Sequence, residues 1–173
     1  ILLHKQMRSL NKWFLFMLVI MLTVFSVQSQ TSWPPNGPQF NQLGQDIEGG
    51  FVNEQSGKSV DFNAAGNIVV IGGYGYALNK GRVRVYQLDE VTMVWTQLGS
   101  DLYGDNGGEK FGYSVSISSD GYTIVVGSPE ASNNGSMSGN IRMFNFDGTA
   151  WNQIGSTQAG EAAGDEFGTS VSL

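Results

Sequence analysis

Apolar and polar residues alternate with a period of two over 113–118, where Tyr113, Val115 and Ile117 are separated by Ser114, Ser116 and Ser118. That period puts one set of side chains on each face of a β-strand. Ser119-Asp120-Gly121 follows, and Asp-Gly is a strong hairpin signal. Thr123-Ile124-Val125-Val126 is a short β-branched run of the kind buried on both faces of a sheet. Gly127-Ser128-Pro129 ends it, since Pro has no N–H to give a central ladder. A polar loop, Glu130 to Ser138, leads to a third strand over Gly139–Phe146. Asp147-Gly148 then turns the chain into a fourth strand at Trp151–Ile154.

The same order occurs earlier, with strands at Ser59–Phe62, Ile68–Gly72 and Gly81–Tyr86 and a turn at Ala65-Gly66. Two blocks mark the repetition. Phe40-Asn41-Gln42-Leu43-Gly44 returns as Trp95-Thr96-Gln97-Leu98-Gly99 and as Trp151-Asn152-Gln153-Ile154-Gly155, in steps of 55 and 56 residues. Gly57-Lys58-Ser59-Val60 returns as Gly112-Tyr113-Ser114-Val115 and Gly168-Thr169-Ser170-Val171. A fixed period of this length signals stacked supersecondary units, none able to bury its apolar surface alone. Four short strands per unit describe a β-propeller blade; the alternative, a β-solenoid, has shorter rungs. The expected fold is all-β, with blades of four antiparallel strands and about 55 residues per repeat. Two repeats are full and a third is truncated at Leu173, so the ring is expected to be incomplete. Phe40–Gly44 matches an outermost fourth strand without three strands before it, and is expected to close the last blade of a longer ring.

Composition changes this picture at the N-terminus. Met7-Arg8-Ser9-Leu10-Asn11-Lys12 is a basic start, and Trp13 to Phe25 holds only Thr23 as a polar residue. Val27-Gln28-Ser29 supplies a small-residue site for a cut before Gln30. These are the parts of a secretory signal peptide, and the run is shorter than the roughly 20 apolar residues of a membrane span. The expected organisation is residues 1–29 as signal peptide with upstream residues, 30–39 as linker and 40–173 as repeats. The part after the cut carries six basic residues against fifteen acidic ones, a formal charge of −9. That excludes a nucleic-acid partner, whose phosphates need a basic face. There is no cysteine, so stability rests on burial and backbone pairing.

Phe111-Gly112 and Phe167-Gly168, each opening a strand, together with Gly127-Ser128-Pro129, resemble the FG-GAP class of propeller repeat known from integrin α-subunits and many secreted proteins. The first repeat departs from it, with Ser56 in place of the Phe and Gly72-Gly73-Tyr74 in place of Gly-Ala-Pro. The resemblance spans Phe40 to Leu173. It implies a secreted or cell-surface module for extracellular binding or adhesion, with a protein or glycan ligand and no membrane span after signal cleavage. It also implies calcium, held in many members by a D-x-D-x-D-G loop. Here the corresponding turns are Asn63-Ala64-Ala65-Gly66 and Ser118-Ser119-Asp120-Gly121. Calcium takes six to eight oxygens, and these turns do not supply them, so no cofactor is expected.

Several repeated positions carry candidate chemistry. Glu54, Glu109 and Asp165 are equivalent, and Asp101, Asp105 and Glu161 lie in the same loops. Asp101, Asp105, Glu109, Glu161 and Asp165 are candidate metal ligands; the competing reading is carboxylates that accept backbone N–H bonds within turns. Arg84 and Arg142 recur on the third strand, either facing a ligand or lying over a neighbouring aromatic on an exposed strand face. Trp95 and Trp151 either stack on sugar rings or pack between blades. The only histidine, His4, precedes the signal peptide and there is no thiol, so no catalytic residue is expected. The alternative is a propeller or accessory domain of a secreted carbohydrate-active enzyme whose catalytic residues lie elsewhere.

Overall fold

In the computed structural model, residues 41–173 are described; the expected signal peptide, the linker and Phe40 lie outside the described residues. Strands β1 (Ser59–Phe62), β2 (Ile68–Gly73), β3 (Arg82–Asp89) and β4 (Val94–Gln97) form an antiparallel sheet in chain order, and β5 (Leu102–Tyr103) also pairs with β3. A second antiparallel sheet takes β6 (Ser114–Ile117), β7 (Thr123–Ser128), β8 (Asn140–Phe146) and β9 (Trp151–Ala159), again in chain order. The fold is all-β and blade-like, with no closed ring among the described residues. The turns form where their chemistry places them. Asp120 Oδ1 accepts the Tyr122 N–H at 3.0 Å, and Gly121 donates to the Ser118 carbonyl. Asp147 Oδ1 accepts the N–H groups of Thr149 and Ala150 at 2.8 and 2.9 Å.

The outer strands differ from expectation. In the second sheet β9 runs on to Ala159, with a register shift opposite Ile141 and Met143. In the first sheet the equivalent stretch is broken into β4 and β5, because Asp101 between them turns inward to Arg82. The segment Gln42–Gly44 forms no strand. It contacts the first sheet only from its outer side: the indole N–H of Trp95 donates to the Leu43 carbonyl at 2.9 Å, and Gln45 bonds the Trp95 backbone in both directions.

One core lies between the sheets. Ile68, Val70, Val83 and Val85 project from the first against Val115, Ile117, Ile124 and Val126 of the second, with Phe111, Phe144 and Trp151 completing the layer. The opposite face of the first sheet carries Val60 and Phe62, the counterparts of Val115 and Ile117, and leaves both exposed.

The recurring residues are the fastenings between one repeat and the next. Ser59 Oγ donates to the Gly112 carbonyl at 2.8 Å, and Ser114 Oγ to the Gly168 carbonyl at 2.7 Å. Trp151 donates its indole N–H to the Leu98 carbonyl at 2.8 Å, as Trp95 does to Leu43. Gly81 bridges Phe111 and Gly139 bridges Phe167, both in parallel fashion. The backbones approach so closely that a Cβ on Gly127 would overlap the Gly168 carbonyl oxygen, and one on Gly99 would lie 2.8 Å from Trp151 Cδ1. Trp151→Phe keeps an aromatic ring, removes the fused five-membered ring and strands the Leu98 carbonyl. It should destabilise the chain by about 1 kcal/mol, read as a lower urea midpoint; an unchanged midpoint would show that the indole bond contributes nothing.

Candidate functional site: a groove on the first repeat

The repeated carboxylates are occupied by their own loops. Glu54 Oε2 accepts the N–H groups of Gly50 and Phe51, and Glu109 accepts those of Asp105 and Asn106, all four between 2.8 and 3.2 Å. Asp165 accepts the Ala162 N–H at 2.7 Å. Asp101 binds Arg82 at 2.9 Å, Asp105 binds Arg142 at 3.2 Å, and Glu161 stands exposed. The structure does not bring the five candidate ligands together: among the described residues no group of three or more acidic or histidine side chains could hold a metal ion. In the turn at Asn63–Gly66, Asn63 Oδ1 accepts the N–H groups of Asn67 and Ile68, so its oxygen is already used.

Arg84 and Arg142 require a correction. Both lie over aromatic rings, Tyr86 and Phe111, at 5.7 and 4.3 Å. They do not sit on an exposed strand face; they are 8% and 5% exposed. Each reaches the loop before its own repeat, Arg84 donating to the Glu48 carbonyl and Arg142 to the Tyr103 carbonyl. They are further fastenings, as are Trp95 and Trp151.

One cluster is not shared between the repeats. Arg82, buried at the start of β3, is paired with Glu54 through Nε at 2.8 Å and a second guanidinium nitrogen, and with Asp101. Burial pushes the Glu54 carboxyl up, but the Arg82 and Gly50 hydrogen bonds and the charges of Arg82 and Arg84 outweigh it. The net pKa falls below the ordinary value. The same guanidinium sits 5.3 Å from the Phe51 ring and 4.9 Å from that of Tyr76. Phe51 meets Tyr76 edge-on at 5.0 Å, and Tyr76 lies 5.4 Å from Tyr103. In the second repeat the corresponding positions are Asn140, Asn106, Ala131 and Ala159. Three parallels fix the correspondence. Arg82 pairs with Tyr103 as Asn140 pairs with Ala159. Phe51 and Asn106 donate to equivalent glutamates. Gly81 and Gly139 bond the Tyr76 and Ala131 carbonyls. The cation and all three rings are therefore present in the first repeat and absent from the second.

Beside this cluster opens a groove of about 790 Å³ between the loop Phe51–Gln55 and the single helical turn Tyr76–Asn79. Asn53, Gln55, Ala77, Leu78 and Asn79 all have positive φ. This backbone belongs to the repeat: Gly108 and Gly164 match Asn53, Lys110 and Glu166 match Gln55, and Met137 matches Asn79, all with positive φ, so the groove's own features are its side chains. Val52 and Leu78, at the tips of the two walls, are 92% and 91% exposed. A groove of this size with apolar walls and a few polar groups has the form of a ligand site.

The model of the FG-GAP repeat family matches residues 104–144. Those residues are similar to an FG-GAP repeat. The matched FG-GAP segment runs from the loop after β5 to Phe144 in β8, and its Phe111-Gly112 step is the one that docks on Gly81 and Gly72 of the preceding sheet. No curated protein matches the chain. The groove lies wholly before the matched FG-GAP residues.

Sequence reasoning singled out the repeated residues and passed over Phe51, Tyr76, Arg82 and Tyr103. The signal that finds them is the reverse of repetition: positions where one repeat carries bulk or charge and its neighbour carries Asn or Ala.

Proposed function

We propose that the chain is a secreted or cell-surface binding module, non-catalytic in this segment, which holds an extracellular ligand in the groove between Phe51–Gln55 and Tyr76–Asn79. The observation that carries this reading is the concerted difference between repeats. Four side chains, Phe51, Tyr76, Arg82 and Tyr103, differ together from their counterparts, beside the exposed aliphatic tips Val52 and Leu78. FG-GAP repeats occur in extracellular and surface proteins and are typically non-catalytic. No helix among the described residues is long and apolar enough to cross a membrane. The basic, apolar and small-residue pattern at the N-terminus supports export.

The test is association of the purified chain with intact cells and extracellular material of its source. The wild type should sediment with them, and the double variant Val52→Asp/Leu78→Asp should lose at least about tenfold in affinity, equivalent to roughly 1.4 kcal/mol. Both positions are too exposed for the change to unfold the sheet. Association that the variant retains in full would remove the groove from the reading. No association by the wild type would sink the binding role itself.

A further inference from the structure

The groove's lining narrows what it can hold. It contains no charged side chain, in a chain of formal charge −6. The one nearby cation, Arg82, is buried behind the rings and held by two carboxylates, so an anionic ligand finds no counter-charge at the surface. A cationic ligand meets no carboxylate in the lining. Three side-chain amides, Asn53, Gln55 and Asn79, face this space with no side-chain hydrogen bond to another described residue. Covering them with lipid hydrocarbon would cost about 1–3 kcal/mol for each unsatisfied group. The lining is made of loops and one helical turn, so there is no free strand edge to pair with an extended peptide.

What remains is an uncharged ligand with apolar faces and many groups that both donate and accept. An amide offers a carbonyl acceptor and two N–H donors, which suits hydroxyls; aromatic rings suit flat C–H faces. Resting on the groove as the binding site, we infer that its ligand is a neutral carbohydrate, with a sugar ring against Phe51 and Tyr76 and its hydroxyls bonded to the three amides. The Phe51 and Tyr76 rings stand 5.0 Å apart at 72°, so they form two walls of a corner that fits one sugar residue of an oligosaccharide.

The experiment titrates the 173-residue chain with neutral hexaoses (malto-, cello-, manno- and laminari-hexaose), a sulfated oligosaccharide and, separately, a displayed peptide library. At least one neutral hexaose should bind, read as heat on calorimetric titration. Tyr76→Ala should weaken it about tenfold, Trp151→Phe should leave it unchanged, and the sulfated sugar should not compete. Asn53→Asp, which adds a charge to an exposed loop, should also weaken binding and guards against misfolding of the Tyr76 variant. Failure of every neutral hexaose at millimolar concentration overturns the inference, as does binding that neither variant affects. Peptides that bind the groove while hexaoses do not would overturn the carbohydrate assignment and leave the binding module standing; absence of any association with source material would overturn both.

Discussion

Phe111→Ala should cost the chain about 4 kcal/mol, within the range for emptying a buried aromatic site. The ring is 0% exposed, meets Phe144 edge-on at 6.1 Å and carries the Arg142 guanidinium at 4.3 Å. Its backbone is pinned to Gly81, so the surrounding strands cannot close over the void. Phe167 holds the same place in the next repeat but is 41% exposed, and Phe167→Ala should cost less than about 1 kcal/mol. Urea unfolding of the two variants checks the contrast. Equal losses would mean that burial between the sheets does not set the value of the Phe-Gly step.

Glu54→Gln should cost about 3 kcal/mol at neutral pH, because it leaves Arg82 buried with only half its counter-charge. The Glu54 pKa lies below its ordinary value of 4.5 in the folded chain. A depressed carboxyl contributes stability that is present in full above the unfolded pKa and is lost as pH falls through the folded one. The gap between wild type and variant should therefore be widest at neutral pH and shrink below about pH 4. Unfolding free energies at pH 7 and pH 3 measure it. A gap that stays constant over that interval would show that Glu54 acts through shape and not through charge.

Strands buried on at least one side were readable from alternation: β1 occupies the expected residues, and β2, β6, β7 and β8 differ by one or two positions at an end. The outer strands were readable only in part: β9 starts at the expected Trp151 and β4 falls on the Trp95 block, but the extension of β9 to Ala159 was not foreseen. β5 is two residues long and exists opposite Arg82 and Val83; nothing local announces it. Phe40–Gly44 has the sequence of an outer strand expected to pair in a longer ring; here Gln42–Gly44 lies beside β4, whose Trp95 N–H and carbonyl are taken up by the Gln45 side chain. Arg84 and Arg142 looked like surface residues because arginine on a strand usually is. Their burial depends on the preceding loop folding over them, which periodicity within one repeat does not reveal. The repeated acids were legible as turn acceptors, since a position kept in every unit serves the unit. The groove was illegible to the same logic, as the side chains that distinguish it are ones the units do not share, on loops whose backbone they do.

The fastenings join a residue to another about one period away: Ser59 to Gly112, Ser114 to Gly168, Trp95 to Leu43, Trp151 to Leu98. Across the joint between the two sheets the bonds run both ways, Ser59 donating forward and Trp151 back, and the stable object is the joint. An open row of N such units holds N − 1 joints, and a closed one holds N. In a lattice with nearest-neighbour coupling, stability counts joints, so substitutions at the two halves of one joint should be strongly non-additive while those at different joints add.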